Sequence, residues 1–206
     1  MTQPITLIHT AEIHRASFSA LRDRIAPEAE LVQHVRTDWL DRARKHGVRQ
    51  ALIDEIAELI HQAPGPVVCT CTTLGEAAAA LGAIRIDAPM MAEATKAGGP
   101  ILVVYALEST FEPSLALLEA ALQDAQQETQ VLPLFIGQFW PLFEAGEVEA
   151  FTACVAGAVK DAVAHNNVGC VVLAQASMAA AAPLLADLGK PVLTSPESAL
   201  RAALSA

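Results

Sequence analysis

Cys71 stands where an apolar run gives way to small hydroxyl residues, in Val67-Val68-Cys69-Thr70-Cys71-Thr72-Thr73-Leu74-Gly75-Glu76. Such a run reads as a buried strand passing into a helix, with the thiol at the junction. Unpaired backbone N–H groups and the helix dipole there favour a thiolate, which predicts a lowered thiol pKa. The same amides, with the hydroxyls of Thr72 and Thr73, form a place for a carboxylate. Thr73 and Glu76 have the spacing of a capping box, so Thr73 is the expected cap. The competing reading of Cys71 is an inert packed thiol, because free cysteine is among the most buried residue types. For Cys69, inside the strand, packing is the better account. Of the four cysteines, Cys71 is expected to be alkylated most readily.

A fainter copy of this pattern, Val171-Val172-Leu173-Ala174-Gln175-Ala176-Ser177-Met178, delivers Gln175 to the matching point. An amide can donate a hydrogen bond to an enolate or carboxylate oxygen, but it cannot exchange a proton near neutral pH. A single thiol can still attack an electrophilic carbon or protonate a carbanion from one face. Cys170 is no substitute for the missing second thiol: five residues upstream on a strand is about 17 Å away. Cys154 falls in a helical pattern and should face packing.

Other candidates lie at other strand ends. His9 and Thr10 follow the first strand, and His9 is a plausible acid or base whose bland alternative is a structural histidine. Glu108-Ser109-Thr110 follows the fourth strand, where the hydroxyls either contact a ligand or cap a helix. Asp38 reads as a solvated surface charge, and Ser177 as a helix cap. His14, His34, His46, His61 and His165 show no metal-ligand spacing, so no metal is expected. Ala97-Gly98-Gly99-Pro100 precedes a strand instead of joining strand to helix, which excludes a phosphate loop.

Alternating β-rich and helical runs position these residues and imply α/β architecture. Strands are predicted at Ile5–His9, Glu30–Val35, Pro66–Thr70, Ile101–Ala106, Thr129–Phe135, Gly169–Ala174 and Pro191–Thr194. Helices are predicted at Ala16–Ile25, Val48–Gln62, Leu74–Gly82, Pro113–Gln127, Val148–His165, Met178–Leu188 and Pro196–Leu204. The two halves repeat one another. Ile5–Ile8 matches Ile101–Val104, Leu31–Val35 with Trp39 matches Leu132–Phe135 with Trp140, and Val67–Thr73 matches Val171–Ser177.

The chain of 206 residues is 53% hydrophobic and 17% charged, enough to bury a core. A net charge of −10 argues against nucleic acid or an anionic membrane as partner. The N-terminal residues lack the pattern of a signal peptide, and the apolar span from Cys170 to Ala186 reads as strand into helix. A soluble, cytoplasmic protein is expected, with free thiols.

The ordered set resembles the aspartate/glutamate/hydantoin racemase superfamily over essentially the whole chain. It comprises Ile8-His9-Thr10, Cys71-Thr72-Thr73-Leu74-Gly75, Leu173-Ala174-Gln175-Ala176-Ser177-Met178 and Pro191-Val192-Leu193-Thr194-Ser195-Pro196. The resemblance implies two pseudo-symmetric Rossmann-like domains, each a mainly parallel sheet flanked by helices. Residues 1–97 plus 193–206 would form the first and 98–192 the second, with a cofactor-free site facing both. It also implies a small carboxylic-acid substrate and a homodimer or higher homo-oligomer. Cys71 takes the position of the first of two proton-carrying cysteines, and Gln175 takes that of the second. His9, Thr10, Thr72, Thr73, Ser109, Thr110, Gln175, Ala176 and Ser177 fall where substrate-binding groups lie. Three functions are compatible: a one-cysteine isomerase or lyase such as a decarboxylase or cis–trans isomerase, a racemase using another second group, and a non-catalytic carboxylate binder.

Overall fold

Strands form where the sequence is continuously apolar and a sheet can be covered on both faces. A computed structural model describes residues 3–206. These divide into two compact units: the first runs to Ile86 and regains Pro196–Ala206, and the second is Asp87–Ser195.

The first unit contains β1 (Ile5–His9), α1 (Ile13–Ile25), β2 (Leu31–Val35), α2 (Thr37–His46), α3 (Gln50–Gln62), β3 (Val67–Cys69), α4 (Thr72–Ala80) and β4 (Ile84–Arg85). Its parallel sheet has the order β2-β1-β3-β4. The central strands β1 and β3 are wholly buried, whereas β2 is partly exposed. Trp39, Leu52, Ile56, Val67, Leu74 and Ala78 are packed into one core cluster.

The second unit repeats this plan. It contains α5 (Ala88–Ala94), β5 (Ile101–Tyr105), α6 (Glu108–Asp124), β6 (Val131–Phe135), α7 (Trp140–Glu144), α8 (Val148–His165), β7 (Cys170–Leu173) and β8 (Val192–Thr194). Its parallel sheet runs β6-β5-β7-β8. Pro133 sits in β6, at the edge of the sheet, where a missing N–H is tolerated. A last helix, α9 (Ser195–Leu204), buries Ala199, Leu200 and Ala203.

The two sheets are equivalent in register as well as order. Ile5 opposes Leu31 as Ile101 opposes Val131, and Ile8 opposes Cys69 as Val104 opposes Leu173. The next backbone bond is shared too: Thr70 N–H donates to the Ile8 carbonyl as Ala174 N–H donates to that of Val104. Thr70 and Ala174 are therefore equivalent positions, and so are Cys71 and Gln175.

Four sequence readings are corrected. The unit boundary falls at Ile86/Asp87, not after Ala97, because Met90, Met91 and Ala94 of α5 pack with Ile101, Val103 and Leu118. The return to the first unit falls at Pro196. Helix α6 begins at Glu108 and carries Pro113 inside it, so proline does not mark its start. The Ala-rich segment Ala176–Leu188 is a 3-10 helix containing Pro183, longer than such helices usually run. A proline has no N–H to give the i−4 carbonyl, which disfavours the α form there.

Candidate functional site

In open parallel sheets, ligands bind beyond the carboxyl ends of the strands, and the candidate residues lie at those ends. In the first unit, Cys71 is the N-cap residue of α4, with extended backbone (φ −110°, ψ 112°). It precedes the helix that Thr73 was expected to cap. Thr73 is already inside the first turn and Glu76 is exposed, so the capping box is out of register. The Cys71 carbonyl instead accepts the Leu74 N–H at 3.1 Å.

The Cys71 side chain is buried, 7% exposed, and burial pushes its thiol pKa up. The hydroxyl of Thr10 opposes that shift, as do the Leu74 and Thr73 N–H groups and the Thr73 hydroxyl. The expected lowering is thus reversed in sign: removing the side chain from water outweighs the amides that favour the anion. At neutral pH the group is a thiol whose sulfur faces hydrogen-bond donors that become stronger partners once it loses its proton. Thr10 and Thr72 are also buried, and Thr73 is half-buried.

His9 is fully buried and both ring nitrogens are engaged. Its Nε2 lies 2.9 Å from Gln33 Oε1, and the Gln33 amide donates to Ser19 Oγ at 3.0 Å. Nδ1 lies 2.9 Å from Thr70 Oγ1. With Gln33 so oriented, the neutral tautomer carries its proton on Nε2. The Thr70 hydroxyl beside Nδ1 is at the same time the donor to the Ile8 carbonyl, at 2.9 Å. Burial lowers the His9 pKa to about 4, with the Gln33 hydrogen bond opposing. Half-buried His14, whose ring lies 6.1 Å from that of His9, is also lowered to about 4, by burial and then by His9. The His9 network ties the carboxyl ends of β1, β2 and β3 together.

In the second unit, Gln175 takes the N-cap position of the 3-10 helix, with φ −124° and ψ 139°. Its Oε1 accepts the Ala106 N–H at 2.6 Å and the Leu107 N–H at 3.1 Å. These amides lie just beyond β5 and open α6. Ser109 and Thr110 follow them, inside the first turn of α6, and Thr110 is buried. The Ser109 and Ser177 hydroxyl oxygens are buried without a hydrogen-bond partner. Ala176 is half-buried at the first position of the 3-10 helix. Asp38 is held by Arg36, in a network that also joins Arg36, Arg42 and the Trp39 indole to Glu55.

The remaining thiols have other settings. Cys69 points its sulfur toward the Cys71 carbonyl at 3.6 Å. Burial raises Cys170 to about 11, and Cys154 is only half-buried. Among the described residues, no three His, Cys, Asp or Glu side chains converge as a metal-binding set. No helix among them is long and apolar enough to cross a membrane. Sequence reading missed Gln33 and Ser19, which support His9, and the Ala106 and Leu107 amides. Backbone donors leave no signal in residue identity.

The fold so described is shared with solved glutamate and allantoin racemases. The chain superposes on glutamate racemase from Francisella tularensis, solved with D-glutamate, with a TM-score of 0.70 at 14% identity, covering 99% of this chain and 80% of that one. Allantoin racemase from Klebsiella pneumoniae gives 0.65 at 19% identity, covering 98% and 86%. Unliganded arylmalonate decarboxylase gives 0.53 at 14% identity, covering 99% and 92%. No protein-family model and no curated protein sequence matches the chain.

Proposed function

We propose that this protein is a cofactor-independent enzyme that acts at the carbon next to the carboxylate of a small acid, with Cys71 as its proton-carrying group. The observation that carries this reading is the setting of Cys71. It is a buried thiol at a strand-to-helix junction, with the Thr10 and Thr73 hydroxyls and the Thr73 and Leu74 amides acting on its sulfur. A raised thiol pKa suits a proton donor. The thiol would protonate a carbanionic, enolate-like intermediate on one face, and the surrounding donors would stabilise the thiolate until solvent returned the proton. Thr72, Thr73 and the first amides of α4 would hold the substrate carboxylate. Thr10 would position the sulfur, and His9 would hold Thr70 and the strand ends without meeting substrate. Gln175, Ala176, Ser177, Ser109 and Thr110 are the candidate substrate-binding residues at the corresponding strand ends of the second unit.

Gln175 favours one-sided chemistry over two-base racemisation, because a carboxamide cannot deliver a proton from a second face. The similar folds include racemases and a decarboxylase, so the architecture is compatible with either outcome. The second reading is a non-catalytic carboxylate binder, favoured by the engagement of the Gln175 carbonyl with backbone. Incubating the protein with amino acids, hydantoins and malonates in deuterated water, followed by mass and chiral analysis, separates them. Deuterium next to the carboxylate with one configuration supports one-sided protonation, with carbon dioxide release marking a decarboxylase. Inversion supports a racemase. No turnover of any acid, with saturable binding, supports the binder.

A further inference from the structure

We infer that the turn between α2 and α3 carries a binding site for a small, soluble phosphate monoester, separate from the strand end that holds Cys71. Gly47 reverses the chain after α2 with φ +75°, a left-handed backbone that a side chain would strain even though the space around it is open. The reversal leaves a cavity of about 360 Å³ lined by Arg42, His46, Gly47, Arg49, Ala51 and Leu52. Leu52 is 2% exposed and belongs to the core, so that wall is fixed. Arg42, His46 and Arg49 supply nitrogen donors, and no lining residue is acidic. A volume of this order suits a small molecule.

Charge sets this cavity apart from the rest of the molecule. The chain is −10 overall, yet residues 42–53 contain Arg42, Arg44, Lys45 and Arg49 and no Asp or Glu. Arg42 donates through Nη1 to Glu55 at 2.8 Å, and its Nε and Nη2 make no hydrogen bond among the described residues. Arg49 donates through Nε to the His46 carbonyl at 2.7 Å, which holds its guanidinium at the turn and leaves both Nη groups unengaged. Arg44 and Lys45 are accounted for by the last turn of α2, where cations suit the helix dipole. Arg49 is not: it occupies the N-cap of α3, whose first turn holds no acid, so its charge opposes that dipole. Among the described residues Arg49 forms no ion pair, and a bound anion supplies the missing partner.

The ligand class follows from the donors. A guanidinium fork fits phosphate oxygens in pairs, and two guanidiniums with an imidazole match a dianion better than a single carboxylate. The acids beside the cavity are already engaged: Asp38 and Glu55 are shared between Arg36 and Arg42, and Asp54 accepts from Gln50. An extended polyanion would be repelled by the acidic remainder of the surface. A compact phosphate fits both the volume and the field.

The test titrates the full chain with inorganic phosphate and with glycerol 2-phosphate, following backbone amide chemical shifts. Both should move Gly47, Arg49, Ala51 and Leu52 saturably, and both should bind at least about tenfold more tightly there than acetate. Arg49 is exposed, so its substitution leaves the core intact. Arg49→Gln should weaken phosphate at least about tenfold, as expected on losing a charge-assisted bond. Arg49→Lys, which keeps the charge and loses the fork, should weaken it by about threefold. Arg44→Gln, outside the cavity lining, should change it by less than about threefold. Phosphate should also raise the urea midpoint of the unsubstituted protein and not that of Arg49→Gln. Silence of residues 46–52, equal affinity for acetate, or undiminished phosphate binding by folded Arg49→Gln would overturn the inference. Duplex DNA or phosphatidylglycerol vesicles binding the same residues more tightly than either phosphate would overturn the assignment to a small ligand.

Discussion

Gln175 Oε1 lies 2.6 Å from the backbone nitrogen of Ala106, so the side chain at the position equivalent to Cys71 is fastened to its own unit. Two turns with the same strand order and register thus carry different chemistry: a buried thiol in one, a backbone-bound carboxamide in the other.

Gln175→Cys should introduce the missing second proton carrier and create or increase racemisation of an acid that the protein turns over. It also uncovers the Ala106 and Leu107 N–H groups and leaves a small void, costing about 1–3 kcal/mol of stability. Chiral analysis of turnover, with urea unfolding alongside, measures both. A stable variant that still yields one configuration would count against position 175 as the second face.

Thiol labelling should follow exposure and pKa, not the helix dipole. At pH 7, limited iodoacetamide treatment should modify half-buried Cys154 before Cys71, whose thiol is buried and raised, with Cys170 slower still. Peptide mapping reads the order. This reverses the expectation drawn from sequence, and Cys71 reacting first would restore it.

How much could be read in advance divides along a physical line. Buried strands are legible because both faces demand apolar residues: β1 was placed to the residue, and the cores of the other long strands were found within two residues of their ends. Helix α8 was also placed to the residue, at Val148–His165. Helices α2, α5 and α7 were missed, since short helices with proline or mixed polar residues carry little periodic signal. The equivalence of Cys71 and Gln175 was visible as a sequence echo. The direction of the Cys71 shift was not, because desolvation depends on everything packed around the sulfur. His9 was found as a residue but not as a network, since Gln33 and Ser19 reach it only through tertiary structure.

Acid should destabilise the first unit through His9. Its folded pKa of about 4 is below the usual value of 6.5, so the unfolded chain binds more protons between those limits. The contribution of neutral His9 is fully present above pH 6.5 and is lost as pH falls toward 4, an effect on the order of 3 kcal/mol. His14 acts in the same direction. Urea unfolding at steps between pH 7 and 4 should show stability falling with acid, and His9→Asn should flatten that slope. An unchanged slope in the variant would exclude His9 as its source.

Glu55 should matter through one hydrogen bond more than through its charge. The fully buried Trp39 donates its indole N–H to Glu55 Oε2 at 2.9 Å, whereas the pairs with Arg36 and Arg42 are partly exposed and screened. Glu55→Ala strands a buried donor and should cost about 1–3 kcal/mol. Glu55→Gln, which can still accept from the indole, should cost less than half of that. Equal losses in thermal unfolding would place the energy in the ion pairs instead.

The central claim is that Cys71 carries the proton, and the most direct measurement is solvent deuterium incorporation by Cys71→Ala, using an acid that the unsubstituted protein turns over. The account predicts that incorporation falls at least about a hundredfold, as expected on losing a positioned proton donor. Carboxylate binding, followed at the Thr73 and Leu74 amides, should persist within about threefold. Undiminished incorporation by folded Cys71→Ala would make the thiol structural and contradict the account.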